Sequence, residues 1–120
     1  MKLKKINASF SVCKVADYSK VNWREFVFTG KTDEENSLVC ETEYVPENVM
    51  EREDGWKAFR IEGVLDFSLI GILAKIAGIL AEEHITIFVV STFNTDYVFL
   101  KETDYERALS CLLKQGYEIR

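Results

Sequence analysis

Apolar residues at Leu69, Ile72, Leu73, Ile76 and Leu80 recur at steps of three and four, the spacing that puts them on one face of a helix packed on a sheet. The pattern predicts a helix over about Ser68–Glu82. A second stripe, Tyr105, Ala108, Leu109, Leu112 and Leu113, predicts a helix over about Asp104–Gln115. Thr103-Asp104-Tyr105-Glu106 reads as its capping box and Gly116 as its C-terminal cap. Between them the period changes to two. Ile85, Ile87 and Val89 alternate with Phe88 and Val90, so the strand Ile85–Phe93 is apolar on both faces and belongs to a sheet covered on both sides. A tight turn leads to a strand at Asp96–Lys101, and shorter strands are expected at Lys57–Glu62 and Tyr117–Ile119. The order βαββαβ makes the fold class α+β, of the ferredoxin-like type.

The first half of the chain carries a weaker version of the same signals. Ser9–Lys14 alternates as a half-buried strand. Trp23–Thr29 reads as a second strand, with Phe26 and Phe28 on one face and Gly30 ending it. Thr32-Asp33-Glu34-Glu35 has the spacing of a capping box for about one helical turn. Ser37–Tyr44 resumes strand character until Pro46 removes a ladder donor. Glu47–Gly55 is the most polar stretch, and Asp54-Gly55 is a turn signal, which makes this segment the expected connector. The division that follows is 1–54, a half with shortened helices, and 55–120, the βαββαβ unit. Within the first helix Gly71 and Gly78 each cost about 1 kcal/mol relative to alanine, as if something approached that helix closely or crowding had to be relieved. His84 stands where the helix turns into the next strand, a position for a residue at positive φ.

Composition adds exclusions. With 48% hydrophobic residues, 29% charged and a single proline, the chain is a folded domain rather than a disordered one. A formal net charge of −5 lacks the basic footprint that phosphate backbones need, so no nucleic-acid partner is expected. The run from Val64 to Ala81 contains Asp66 and Lys75, which argues against a membrane span. Without a leader pattern the expected location is cytoplasmic. Cys13, Cys40 and Cys111 are odd in number and widely spaced, so they predict reduced, semi-buried thiols and neither a disulfide framework nor a metal cluster. One histidine, no Ser/His/Asp set and no glycine-rich phosphate loop leave no catalytic residue to name and no cofactor to expect.

Small polar groups gather at two corners. Asp66 and Ser68 precede the first long helix, where either serves as N-cap. The N–H groups of that first turn, with the positive end of the helix dipole, suit a carboxylate. Asp96 follows a strand ending in Ser91-Thr92 and suits an ammonium. Together they fit a zwitterion such as a free amino acid, although on pattern alone Asp66 as a cap and Asp96 as a turn residue explain both.

Leu65-Asp66-Phe67-Ser68-Leu69-Ile70-Gly71, then Ile85-Thr86-Ile87-Phe88 and Ser91-Thr92-Phe93-Asn94-Thr95-Asp96-Tyr97-Val98, resemble the ACT-domain family. The likeness is greatest to the branch of small bacterial ACT proteins, aspartate-kinase regulatory regions and the cytosolic arginine sensor of animals. The resemblance covers about Gly55 to Tyr117, with the first half similar to the degenerate ACT-like unit that precedes it in that branch. It implies a non-catalytic regulatory fold that binds a small ligand, often an amino acid, where two ACT units meet, and hence a homodimer. Ser91, Thr92, Phe93, Asn94, Thr95 and Asp96 then supply the strand-turn contacts, and Leu65, Asp66 and Ser68 the corner. Two departures stand out. His84 replaces the glycine expected before the second strand, and the turn after Asp66 has no acidic residue, which separates amino-acid binding from arginine specificity. The other reading is an assembly module that uses the same surfaces without a ligand.

Overall fold

The structure is a computed structural model, and it describes residues 1–62 and 71–120. It contains strands β1 (Lys2–Val15), β2 (Val27–Lys31), β3 (Asn36–Glu41) and β4 (Val49–Glu62), helix α1 (Ile72–Glu82), strands β5 (Ile87–Ser91) and β6 (Asp96–Lys101), helix α2 (Tyr105–Lys114) and a short β7 (Glu118–Ile119). Two compact units result: Ala8–Trp56, and Met1–Asn7 together with Lys57–Arg120. The long strands β1 and β4 therefore each give a segment to either unit.

In the larger unit the strand order is β7-β1-β4-β6-β5, with both helices on one face. Their apolar stripes build its core: Ile76, Leu80, Ala108, Leu109 and Leu112 pack with Leu3, Phe59, Ile61, Val98 and Leu100. Leu113, expected in the second stripe, is instead exposed. The expected closing strand also differs. The place beside β4 is held by the start of β1, and β7 pairs outside it in parallel, Lys2 opposite Glu118 and Leu3 opposite Ile119. The lysines hid this strand, because Lys4 and Lys5 fall side by side between buried Leu3 and Ile6 and break the period of two.

Both helices end as Schellman motifs. In α1 the Ile85 N–H donates to Leu80 O and the His84 N–H to Ala81 O, each at 3.0 Å, with His84 at φ 57°. In α2 Tyr117 and Gly116 make the same pair of bonds to Leu112 and Leu113, with Gly116 at φ 94°. The expected capping box of α2 is not formed. Glu102–Asp104 is a 3-10 turn, Asp104 makes no cap bond, and its carboxylate accepts instead from Arg107 at 3.2 Å. Gly71 is not mid-helix but the N-cap of α1, at φ 84°. Gly78 is mid-helix, and a Cβ there would meet nothing within 4 Å, so no described part of the chain approaches it closely.

In the smaller unit β3 lies between β2 and β1, with β4 beyond β1. The second strand starts later than its aromatics indicate: Trp23 is exposed, and Gly30 sits within β2 rather than ending it. Thr32–Glu35 is not a helical turn but the tip of the β2–β3 hairpin. The Thr32 N–H donates to Glu35 O at 3.0 Å, and the Thr32 hydroxyl accepts from Glu34 and Glu35 N–H at 3.1 and 3.2 Å. The hydroxyl half of a capping box thus closes a hairpin, while the Glu35 backbone carbonyl takes the Thr32 N–H. The polar segment Glu47–Gly55, expected as connector, is mostly strand β4, and Gly55 is a positive-φ residue (87°) inside it, in the manner of a glycine bulge.

The two hairpins echo each other at a constant offset of 60 residues, from Val27 against Ile87 to Glu41 against Lys101, and each is followed by a 3-10 turn. Thr32 and Thr92 hold equivalent places. The Thr92 N–H donates to Thr95 O at 2.8 Å, and the Thr95 N–H donates to the Thr92 hydroxyl at 3.3 Å.

Candidate functional site

The string Ser91–Asp96 closes the β5–β6 hairpin, with Ser91 directly opposite Asp96. Strand parity fixes which way its groups face. Val98 and Leu100 belong to the helix-side core, so Asp96, two residues before Val98, lies on the same face as the helices. The Ser91 hydroxyl donates to Asp96 Oδ1 at 2.5 Å. The Thr92 hydroxyl donates to Thr95 O at 3.0 Å while accepting from the Thr95 N–H. The Thr95 hydroxyl donates to Ile61 O at 2.6 Å. That last bond ties the turn to the end of β4, the strand that leads toward the second corner. Phe93 and Asn94 form the tip and are exposed, Phe93 completely so. Of the expected site, the structure brings together Ser91, Thr92, Thr95 and Asp96, while Leu65, Asp66 and Ser68 lie outside the described residues.

A charged cluster beside this turn escaped the sequence reading. Arg60 Nε donates to Glu62 Oε2 at 3.1 Å and Arg60 Nη1 to the Tyr97 hydroxyl at 3.2 Å, and Arg120 Nη2 donates to Glu62 Oε1 at 3.1 Å. The Arg60 guanidinium also lies 5.9 Å from the centre of the Tyr97 ring. Burial works to raise the Glu62 carboxyl, but the two guanidiniums outweigh it and hold the group below the usual range. The available signal was Arg60-x-Glu62 at strand period, an opposite-charge pair on one face flanked by Phe59 and Ile61. A surface hollow of about 310 Å³ opens at the first turn of α1, lined by Met1, Ile72, Lys75, Gln115, Gly116 and Tyr117.

These hydroxyls, carboxylates and guanidiniums are hydrogen-bond donors and acceptors that pair with one another within the chain. Among the described residues no group of three or more His, Cys, Asp or Glu side chains is arranged to hold a metal ion. No helix among them is long and apolar enough to cross a membrane.

Residues 51–114, more than half of the chain, match the family model described as ACT domain. The chain belongs to the ACT-domain family. A search of curated proteins finds no significant match. Among solved structures, an Agrobacterium tumefaciens protein is 30% identical and superposes with a TM-score of 0.89, covering 99% of this chain and 91% of that one. The regulatory subunit of aspartate kinase from Thermus thermophilus, in its ligand-free form, is 10% identical with a TM-score of 0.64, covering 93% and 95%. Aspartate kinase of Clostridium acetobutylicum is 15% identical with a TM-score of 0.62, covering 92% of this chain and 32% of the kinase. The ACT domain here is thus α+β, with the regulatory regions of aspartate kinases as structural neighbours; at such identities those neighbours share the fold.

Proposed function

We propose that this ACT protein is a non-catalytic regulatory module that binds a free amino acid where two ACT units of a homodimer meet. The carrying observation is the Ser91–Asp96 turn. Its hydroxyls and one carboxylate are held by their own hydrogen bonds, and Thr95 anchors the turn to Ile61. A carboxylate oriented in this way is ready for an ammonium without further ordering cost, and Asp96 takes that role. Leu65, Asp66 and Ser68 supply the other half of the site, with Phe93 and Asn94 at its rim. The dimer reading draws support from β5, an outer strand whose Ile87, Phe88, Val89 and Val90 all remain partly exposed; such an edge is a template for a second strand. The hairpin echo supports reading the first half as a degenerate ACT-like copy.

The test is thermal unfolding against the twenty free amino acids at millimolar concentration. A ligand that binds only the folded state at a hundredfold excess over Kd stabilises it by about 2.7 kcal/mol. One amino acid should raise the midpoint by several degrees, and Asp96→Ala, still folded, should abolish the shift. Light scattering at micromolar concentration should give a dimer; a monomer with and without ligand would sink the interfacial site. The exposed Phe93 and the outer place of β5 among the described strands also fit an assembly module without a ligand, the reading favoured by an intact dimer that no amino acid stabilises.

A further inference from the structure

The register of β1 against β3 brings together two cysteines that stand far apart in sequence. Cys13 is opposite Leu38 and Ser11 is opposite Cys40, so the two thiols share one face of the ladder, a single diagonal step apart. They sit in one apolar cluster with Val15 and Leu38, exposed by only 4% and 2%. The thiols sense each other: Cys40 holds the Cys13 thiol below the usual range, while Cys13 and then burial hold Cys40 well above it.

Distance decides what such a pair can do. A diagonal step on an antiparallel ladder separates Cα atoms by about 7–8 Å, beyond the roughly 4.4–6.8 Å that a disulfide accepts. An ion held by two metal–sulfur bonds of about 2.3 Å each tolerates sulfurs up to about 4.6 Å apart, against about 2 Å in a disulfide. The pair is thus better placed to hold an atom between its sulfurs than to bond directly. The surroundings choose the ion. Val27, Val45 and Val49 border the cluster, and no group of three or more ligating side chains exists among the described residues, so zinc lacks its four ligands. Two thiolates among valines, with buried Ser11 as the polar neighbour opposite Cys40, select a soft monovalent ion.

We propose that Cys13 and Cys40 form a two-thiolate site for one copper(I) ion. On binding, each S–H bond breaks and its proton passes to water. Two Cu–S bonds form, and copper stays in the +1 state with no electron transferred. The product carries one negative charge, and Arg52 is the cation whose field reaches both sulfurs, although Asp54 opposes it at Cys13 and Glu41 at Cys40.

The reduced, metal-free chain would be titrated anaerobically with the coloured copper(I)–bicinchoninate complex. The expected result is transfer of one copper per chain, lost in Cys13→Ala and in Cys40→Ala and retained in Cys111→Ala, with circular dichroism confirming each fold. X-ray absorption on the wild-type complex should show two sulfur neighbours, which decides the question even if an alanine variant unfolds. Failure of the wild type to take copper, transfer that persists in the Cys13→Ala/Cys40→Ala double variant, or a spectrum without two sulfurs would overturn the proposal. So would an unstrained Cys13–Cys40 disulfide formed readily with oxidised glutathione, because it would show the sulfurs within direct bonding reach.

Discussion

Replacing Tyr105 with phenylalanine removes one oxygen atom from the core of the larger unit and tests its energetics at two pH values. The Tyr105 hydroxyl donates to Ala58 O at 2.7 Å, with Tyr105 exposed by 5% and Ala58 by 0%. Phenylalanine keeps the ring, and with it the contact to Lys57 Nζ, 5.5 Å from the ring centre. Losing a net hydrogen bond worth about 1 kcal/mol and leaving a buried carbonyl short of a donor should cost about 1–2 kcal/mol at pH 7. The alkaline limb should behave in the opposite way. Burial pushes the Tyr105 phenol up to about 12, so between pH 10 and 12 the folded chain keeps a proton that the unfolded chain releases. The associated stability is fully present below the unfolded pKa and is lost as pH rises through the folded one, up to about 2.7 kcal/mol for two pK units. Phenylalanine carries no such proton. Urea unfolding from pH 7 to 12 should therefore show the wild-type advantage shrinking above pH 10 and reversing near pH 12. A gap that stays constant across that range would refute the burial argument, and no gap at pH 7 would refute the hydrogen bond.

Three further outcomes follow from local geometry. Gly78→Ala, mid-helix with open space around the added Cβ, should stabilise the chain by about 1 kcal/mol, read as a higher thermal midpoint; a lower one would mean that something packs on that helix. Gly116→Ala forces a Cβ into φ 94° and should cost about 1–2 kcal/mol, seen as a lower urea midpoint with unchanged slope. Glu62→Gln removes the negative charge and one of the two carboxylate oxygens to which Arg60 and Arg120 donate. Because the folded-state pKa of Glu62 is lowered, the wild-type advantage should be present above the unfolded carboxyl range and fade as pH falls through the folded value, checked by urea unfolding at pH 7 and pH 3.

What the sequence made legible tracks the strength of its local signals. β6 starts and ends as expected at Asp96 and Lys101, and α2 matches within a residue at each end, because a period of 3.6 or 2 bounded by polar caps leaves little choice. The turn at Ser91–Asp96 was recognisable because its hydroxyls sit next to its carboxylate in sequence. The reading failed where one motif serves two geometries. Thr-x-x-Glu closes a hairpin at Thr32 because its bonds, side-chain oxygen to N–H three residues on, are the same in either setting. Asp54-Gly55 suggests a turn, yet the positive φ of Gly55 is absorbed within a strand. Contacts of long sequence separation were out of reach for a different reason. Cys13 with Cys40, and Arg60 with Tyr97, depend on strand register, which no local window contains.

The split membership of β1 sets an order of events during synthesis. Ala8–Trp56 is contiguous and is free to form as soon as it has cleared the ribosome. Met1–Asn7 belongs with Lys57–Arg120, and its ladder is completed only when Lys5 N–H reaches Arg120 O and Arg120 N–H reaches Leu3 O, at 2.8 and 3.0 Å. At roughly 5–20 residues per second, the first strand segment waits several seconds for its last partners on the β7 side. The thermodynamic penalty for closing so long a loop grows only slowly with length, but pairing across it is slow. A chain stalled before Glu118 would emerge with its first unit folded and its leading strand still open to capture.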